Sequence, residues 1–137
     1  MQTSMIEAYV DGSWMAGRVG WATVILKKGV LYGEFSGALD DDEVQGTRQV
    51  AGELKAVEQT LFWCVEQDVK EITIYYDYAG VKEWVTGGWK AKMPLTQKYR
   101  DYVRTLKVKI NWVKVKSHSG IKYNEMADKL AKKIISD

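Results

Sequence analysis

The alternation of apolar and polar residues predicts three strands in the first forty positions of the chain. Residues 6–11 alternate apolar side chains with polar or aromatic ones, which is the two-residue period of a strand with one buried face. Residues 21–26 and 30–39 predict the next two strands. We expect Gly12 and Ser13 to interrupt the first strand, because glycine and serine favour turns. The short connections favour an antiparallel meander.

Apolar residues at three- and four-residue spacing predict a long helix over residues 47–67. The predicted stripe consists of Val50, Leu54, Val57, Leu61 and Val65. Alternating segments at 72–77 and 108–115 predict two further strands, and three shorter helices are predicted at 79–85, 96–106 and 124–135. A strand–helix–strand crossover implies a parallel pair. The order therefore predicts an α/β fold with a mixed five-stranded sheet flanked by helices.

Composition is that of an ordinary globular chain. The 137 residues are 46% hydrophobic and 28% charged, which excludes disordered, collagen-like and disulfide-scaffold classes. Cys64 is the only cysteine, so we expect it in the core and not in an intramolecular disulfide. We expect no internal repeat, linker, signal peptide or membrane-spanning run in this sequence. We therefore expect one domain over residues 1–137, a cytoplasmic location, no membrane partner and a monomer.

The net charge of +2 conceals a strong asymmetry along the chain. Residues 1–81 contain 6 Lys and Arg against 13 Asp and Glu, a balance of −7. Residues 82–137 contain 14 Lys and Arg against 5 Asp and Glu, a balance of +9. Such asymmetry favours a polyanionic partner such as nucleic acid, although two solvated faces of opposite charge would give the same totals.

Four carboxylates are candidates for a metal site. Asp11 and Asp77 end predicted strands, and the carboxyl ends of parallel strands share the sheet edge at which ligands bind. Glu53 and Asp128 lie beside the apolar stripes of their helices. Converging oxygen ligands would select Mg²⁺ or Mn²⁺ over zinc. Spacing alone leaves open that the aspartates cap turns and that the helical carboxylates are solvated or paired with basic residues.

Four sequence blocks, in this order, resemble the type 1 ribonuclease H family. The blocks are YVDGS at 9–13, VAGEL at 50–54, IYYDY at 74–78, and VKSHSG at 115–120 followed by NEMAD at 124–128. The resemblance is to the bacterial or archaeal-like form that lacks a basic protrusion, since the stretch between the third and fourth blocks is short. It implies a ribonuclease H-like fold.

The resemblance also implies a chemistry. It implies a metal-dependent endonuclease that hydrolyses the RNA strand of RNA–DNA hybrids and leaves 5′-phosphate and 3′-hydroxyl ends. Asp11, Glu53, Asp77 and Asp128 would be the catalytic carboxylates that hold two Mg²⁺ or Mn²⁺ ions. His118, the only histidine, would serve in proton transfer or product release.

Six residues are candidates for binding the hybrid substrate: Gly12, Ser13, Arg48, Gln49, Trp84 and Asn124. Gly12 and Ser13 would approach the RNA ribose, whose 2′-hydroxyl distinguishes RNA from DNA. Arg48 and Gln49 stand where the family often has Thr and Asn, which leaves their contacts with phosphate and ribose open. Trp84 could equally pack in the core, and Asn124 could equally cap the last helix.

The sequence is also compatible with two other functions. One is a non-catalytic nucleic-acid-binding module of the same fold, and the other is a different nuclease of the superfamily, such as a resolvase-like or integrase-like enzyme. Four clustered acids are not needed for binding alone, and the Asp–Gly–Ser segment and the histidine loop favour ribonuclease H over the other nucleases.

Replacing His118 with alanine tests the predicted proton-transfer role. We expect His118→Ala to slow turnover of an RNA–DNA hybrid without abolishing it, because general acid–base groups typically contribute about 100-fold or more while the carboxylates remain in place. Steady-state kcat is the measurement. An unchanged kcat would make His118 an ordinary surface residue.

Overall fold

The protein, seen in a computed structural model, is described over residues 5–40, 47–116 and 120–136. This part of the chain contains five strands and four helices. In chain order they are β1 Ile6–Met15, β2 Arg18–Lys27, β3 Val30–Leu39, α1 Gln49–Glu66, β4 Glu71–Tyr76, α2 Gly80–Thr86, α3 Pro94–Thr105, β5 Lys109–Lys114 and α4 Lys122–Lys133. Each helix end lies within two residues of its predicted position.

The strands form one mixed sheet in the order β3-β2-β1-β4-β5. β1 pairs antiparallel with β2, and β2 pairs antiparallel with β3, whereas β4 is parallel to both β1 and β5. This topology confirms the predicted α/β fold. The parallel pairing of β1 with β4 ends at Tyr9 and Tyr75. Asp11 and Asp77 each follow two residues later, so both carboxylates lie at the same edge.

The predicted break at Gly12 and Ser13 is wrong. β1 continues through both residues to Met15, because its antiparallel ladder with β2 runs on after β4 has ended. The turn lies at Ala16 and Gly17, which both have positive φ angles of 49° and 80°. Two such residues form the tight hairpin turn that matches the twist of the strands. Asp11 therefore lies within a strand and is fixed by the neighbouring β2.

Two glycines, Gly12 and Gly52, let α1 lie almost directly on the sheet. A Cβ atom added to Gly52 of α1 would lie 2.6 Å from the carbonyl oxygen of Gly20 and 3.0 Å from Cα of Gly12. A Cβ atom on Gly12 would lie 2.5 Å from the backbone nitrogen of Glu53. Backbone thus meets backbone at this contact, and the close approach brings Glu53 to the strand that carries Asp11.

The buried face of α1 follows the predicted stripe for most of its length. Leu54, Val57 and Leu61 are at most 1% exposed, and Cys64 is fully buried as predicted. Val65 is 54% exposed, so its place in the stripe is wrong. After Leu61 the next buried position is Cys64, three residues further along the helix, so Val65 faces outward.

A hydrogen bond between two buried hydroxyl groups also links α1 to the sheet. Thr60 Oγ1 lies 3.0 Å from Thr23 Oγ1 on β2 and 2.7 Å from the carbonyl oxygen of Ala56. Both threonines are fully buried. Since these hydroxyls satisfy one another inside the core, sliding α1 along β2 would leave polar atoms unpaired.

Substituting Gly52 tests the close approach. We expect Gly52→Ala to lower the free energy of unfolding by about 1–3 kcal/mol, because the new methyl group meets backbone atoms that cannot rotate away. The intrinsic preference of helices for alanine acts in the opposite direction. Urea unfolding measures the difference.

Gly33→Ala is the matched control. Among the described residues, no atom lies within 4 Å of a Cβ built at Gly33, which lies in the edge strand β3. We expect its stability to remain within about 0.5 kcal/mol of the parent chain, as for most surface substitutions. Equal losses at Gly52 and Gly33 would contradict the packing argument.

Candidate active site

Three carboxylates from three different elements converge where the parallel strands end. Asp11 comes from β1, Glu53 from the second turn of α1, and Asp77 directly follows β4. Each contributes one oxygen atom to a group whose members all lie within 4.8 Å of one another. We refer to these three residues as the carboxylate cluster. The structure thus brings together three of the four predicted metal ligands.

The carboxylate cluster lies in an open cleft of about 310 Å³. The residues that line this cleft are Asp11, Gly12, Gln49, Val50, Glu53, Asp77, Tyr78 and Asp128. Four of the eight are acidic. The surroundings of the cluster therefore suit a cation and an extended partner more than a small apolar ligand.

Burial makes the carboxylate cluster electrostatically costly. Asp11 is 5% exposed and Glu53 only 2% exposed. Burial raises the pKa of Asp11 to about 7. A hydrogen bond from Glu53 opposes this rise in the pKa, and the negative charge of Asp77 adds to it. Burial also raises the pKa of Glu53 well above its usual range, and hydrogen bonding to Asp77 and Asp11 raises it further. Protons or a cation must therefore offset these charges.

The residues present fit a divalent cation. Glu53 Oε2 is buried and has no hydrogen-bond partner among the described residues, which is a costly state for a polar oxygen. Hard cations prefer carboxylate oxygens, and a cation between Asp11, Glu53 and Asp77 would satisfy this atom and reduce the repulsion. Oxygen-only donor sets favour hard divalent cations such as Mg²⁺, Mn²⁺ and Ca²⁺.

Asp128 lines the same cleft but does not share the 4.8 Å group. Its Oδ2 accepts a hydrogen bond of 3.0 Å from Lys132 Nζ, one turn further along α4. Its negative charge still contributes to the raised pKa of Asp11. The structure therefore places the fourth predicted ligand on the cleft wall, where it is partnered by a lysine.

Gly12 and Ser13 have different positions in the site. Gly12 lines the cleft, yet the lack of a side chain there serves the packing of α1 against β1. Ser13 is 8% exposed and lies opposite Gly20 in the ladder between β1 and β2. Gly12 is thus a residue of the cleft, as predicted, whereas Ser13 is nearly buried within the ladder between β1 and β2.

Arg48 and Gln49 stand at the start of α1. Gln49 lines the cleft, as expected of a substrate-binding residue. Arg48 precedes the helix with φ 57° and ψ −130°, and its guanidinium lies 4.8 Å from the centre of the Trp14 ring. Non-glycine residues rarely adopt such backbone angles, which typically cost on the order of 1–3 kcal/mol. Because Gln49 lines the cleft, its neighbour Arg48 lies at the edge of the cleft.

Trp84 packs in an aromatic cluster with Tyr78 and Trp89. The ring centres lie 5.5–6.0 Å apart, and Trp84 also packs against the main core. Trp84 is partly buried in this packing and does not line the cleft, and its role in substrate binding stays a prediction. The aromatic side chain that reaches the cleft is Tyr78.

Asn124 is 2% exposed, and its Oδ1 has no hydrogen-bond partner among the described residues. Because α4 begins at Lys122 after Ile121, Asn124 is its third residue and is not the cap. The cap alternative is therefore wrong. His118 lies outside the described residues, so its catalytic role stays a prediction.

Two residues near the site were not predicted. Tyr78 lines the cleft, and its position directly after the strand-end Asp77 was the available signal. Trp14 lies beside Arg48, but the assumed break at Gly12 concealed the fact that β1 continues far enough to carry Trp14 there.

Removing one charge from the carboxylate cluster should stabilise the metal-free protein. Because the pKa of folded Asp11 is about 7, above its ordinary value of 3.8, the folded state loses stability as the pH rises from about 4 to about 7. We expect Asp11→Asn in EDTA to gain on the order of 1–3 kcal/mol at pH 8, with a smaller gain at pH 5. Thermal unfolding at the two pH values measures this difference.

Two controls accompany this measurement. Asp68→Asn removes a charge from a side chain that is 82% exposed, and asparagine tolerates the positive φ of that position, so we expect no comparable gain. Mg²⁺ should raise the melting temperature of the parent chain more than that of Asp11→Asn. A loss of stability in Asp11→Asn at pH 8 in EDTA would contradict the electrostatic account.

Comparisons with known proteins agree with this geometry. The RNase H family model matches residues 3–136. A ribonuclease H of Francisella philomiragia is 30% identical over 145 residues, which cover 95% of this chain and 90% of that protein.

Solved structures share the fold at lower sequence identity. The N-terminal RNase H domain of a Mycobacterium tuberculosis protein superposes with a TM-score of 0.79 at 20% identity, over 97% of this chain and 94% of that one. LC11-RNase H1, isolated from compost and solved in complex with an RNA/DNA hybrid, gives a TM-score of 0.72 at 17% identity, over 96% of this chain and 99% of that one. With a family model that spans nearly every residue and a fold and acidic cleft that agree with it, the chain belongs to the RNase H family.

Proposed function

We propose that this protein is a ribonuclease H that cleaves the RNA strand of RNA–DNA hybrids internally and leaves 5′-phosphate and 3′-hydroxyl ends. The observation that carries the proposal is the carboxylate cluster, in which two nearly buried acids and Asp77 share an open cleft. Such a cluster is costly to maintain and is not needed for binding alone, which argues against a non-catalytic module. Membership of the RNase H family supports the same activity.

Divalent cations complete the proposed site. Asp11, Glu53 and Asp77 would hold Mg²⁺ or Mn²⁺, and Asp128 would join them on releasing Lys132, which would allow two ions. Bound ions of this kind activate a water molecule and neutralise charge on the phosphate that is being cleaved. Their number and identity belong to this proposal, with support from the oxygen-only donor set.

The side chains of the cluster and of the surrounding cleft would have different roles. Glu53 and Asp11 are held by backbone packing between α1 and β1, so their carboxylates are positioned before substrate arrives. Gln49 and Tyr78 form the cleft wall and would contact the sugar-phosphate backbone of the hybrid. His118 would move a proton at the end of the reaction, which remains a prediction from the sequence.

Positive charge for holding the hybrid lies near the aromatic cluster. Between β4 and β5, the described chain contains α2 and α3, joined by residues 87–93. Lys90 and Lys92 are exposed on this connection, and Trp89 is 41% exposed. Exposed lysines beside an aromatic surface suit a nucleic-acid backbone. This short connection agrees with the predicted lack of a basic protrusion.

Other expectations accompany the proposal. None of the described helices is long and apolar enough to cross a membrane. The cytoplasmic location and the monomeric state stay predictions.

A strand-specific cleavage assay tests the proposed function. We expect the parent chain with Mg²⁺ or Mn²⁺ to cut the labelled RNA strand of an RNA–DNA hybrid, and Asp77→Asn to lower the rate by at least about 100-fold, as losses of electrostatic stabilisation commonly do. EDTA should stop cleavage. Product ends are identified by their response to phosphatase and kinase treatment.

The controls separate the alternative functions. Asp101→Asn removes an exposed carboxylate that pairs with Arg100 on α3 and does not line the cleft, and this variant should cleave normally. A hybrid that is bound but not cut with either metal would support a non-catalytic module. Equal cutting of duplex RNA and hybrid would support another nuclease activity.

A further inference from the structure

An arginine and a tryptophan form an exposed cation–π pair next to the cleft. The guanidinium of Arg48 lies 4.8 Å from the centre of the Trp14 ring. Trp14 is 42% exposed, so its ring is not a core side chain. Tryptophan is the aromatic partner that attracts cations most strongly, and such a contact orders a side chain that would otherwise be mobile.

The pair exists because β1 is longer than its sequence suggests. Trp14 lies three residues beyond Asp11 on the part of β1 that pairs only with β2, opposite Val19. Arg48 immediately precedes α1, and its neighbour Gln49 lines the cleft. The hairpin and the start of α1 therefore meet at the cleft edge, and each contributes one member of the pair.

The backbone of Arg48 supports a fixed position for its side chain. Its φ of 57° and ψ of −130° place it among the four non-glycine residues with positive φ in the described part of the chain. The other three are Ala16, Lys28 and Asp68. Such conformations persist only where the surroundings hold them, and the contact with Trp14 is one interaction of Arg48 that the structure shows.

We propose that Trp14 is a positioning residue, which holds Arg48 in place to bind a backbone phosphate of the hybrid at the edge of the cleft. This inference rests on the proposed function, because it concerns how the same site holds its substrate. Arg48 supplies the charge–charge contact, and Trp14 fixes the direction of the guanidinium. The exposed face of the indole adds an apolar surface for the adjoining sugar.

The two residues should affect binding and leave the chemistry unchanged. Neither belongs to the carboxylate cluster, so substitutions should raise KM with little change in kcat. A single phosphate contact also makes binding salt-dependent. Its loss should lower the slope of log Kd against log salt concentration by about 1.

A double-mutant cycle provides the test, with Kd for an RNA–DNA hybrid measured in the inactive Asp77→Asn background between low and physiological salt. The variants are Trp14→Ala, Arg48→Ala, the double variant and Trp14→Phe. We expect Trp14→Ala to weaken binding by about two- to fivefold, as a lost exposed cation–π contact would. Trp14→Ala should also lower the slope of log Kd against log salt concentration, though by less than Arg48→Ala does. Trp14→Phe should keep most of the parent's affinity and most of its salt slope. In the Arg48→Ala background, Trp14→Ala should have a smaller effect, because Trp14 then has no arginine to hold.

Tyr32→Ala is the matched control. Tyr32 is also exposed and also carries a cation over its ring, Lys27 at 5.5 Å. It lies near the start of β3, at the sheet end that contains Ile6 and not Asp11. Its removal should leave Kd and the salt slope unchanged.

Several results would overturn the inference. Full additivity of Trp14→Ala and Arg48→Ala, or a loss of affinity with no change in salt slope, would show that Trp14 does not act through Arg48. An equal loss of affinity in Tyr32→Ala would point to general destabilisation. These outcomes are separate from the proposed function, which fails if the chain with intact Asp77 does not cut the hybrid or cuts duplex RNA equally well.

Discussion

The site depends on the direct contact between the backbone of α1 and that of β1 and β2. Gly12, Gly20 and Gly52 form this contact, and any side chain on Gly12 or Gly52 would force the helix away from the sheet. Glu53 follows Gly52, so the packing that removes space for a methyl group also sets the distance from Glu53 to Asp11. Backbone contacts of this kind resist displacement better than flexible side chains.

This contact brings acidic groups together at an energetic cost. Asp11 and Glu53 are nearly buried, both have raised pKa values, and Glu53 Oε2 has no partner among the described residues. Strained or unsatisfied groups persist where function requires them. The same arrangement would become favourable with a bound divalent cation, since the cation would neutralise the charges and the unpartnered oxygen of Glu53 would coordinate it. Asp128 accepts a hydrogen bond from Lys132, a contact that it would exchange for a bound cation in the proposed site.

Much of this arrangement could be predicted from the sequence, for identifiable reasons. Asp11 and Asp77 could be placed together because a crossover helix makes β1 and β4 parallel, and both aspartates follow the paired segments by the same interval. Glu53 could be placed near them only through the family resemblance, because helical periodicity does not tell which edge of a stripe faces the sheet end. The ion pair between Asp128 and Lys132 is also readable from the sequence, since residues four apart are neighbours on the surface of a helix.

Other features could not be read from local sequence. Gly12 and Ser13 have the composition of a turn, but Gly12 is required by a helix that lies forty residues further along, and the true turn is at Ala16 and Gly17. Ser13 and Asn124 look like polar surface residues, whereas tertiary packing buries both. The pairing of Trp14 with Arg48 depends on the extended β1, so the incorrect strand end also hid this contact.

The most direct test of the central claim is anomalous X-ray scattering from crystals of the protein equilibrated with Mn²⁺. The account predicts a manganese peak within coordination distance of oxygen atoms from Asp11, Glu53 and Asp77. Crystals of Glu53→Gln should show a weaker peak or none. Absence of manganese from the parent chain, with the three carboxylates still in contact, would contradict the claim that the cluster is a cation site.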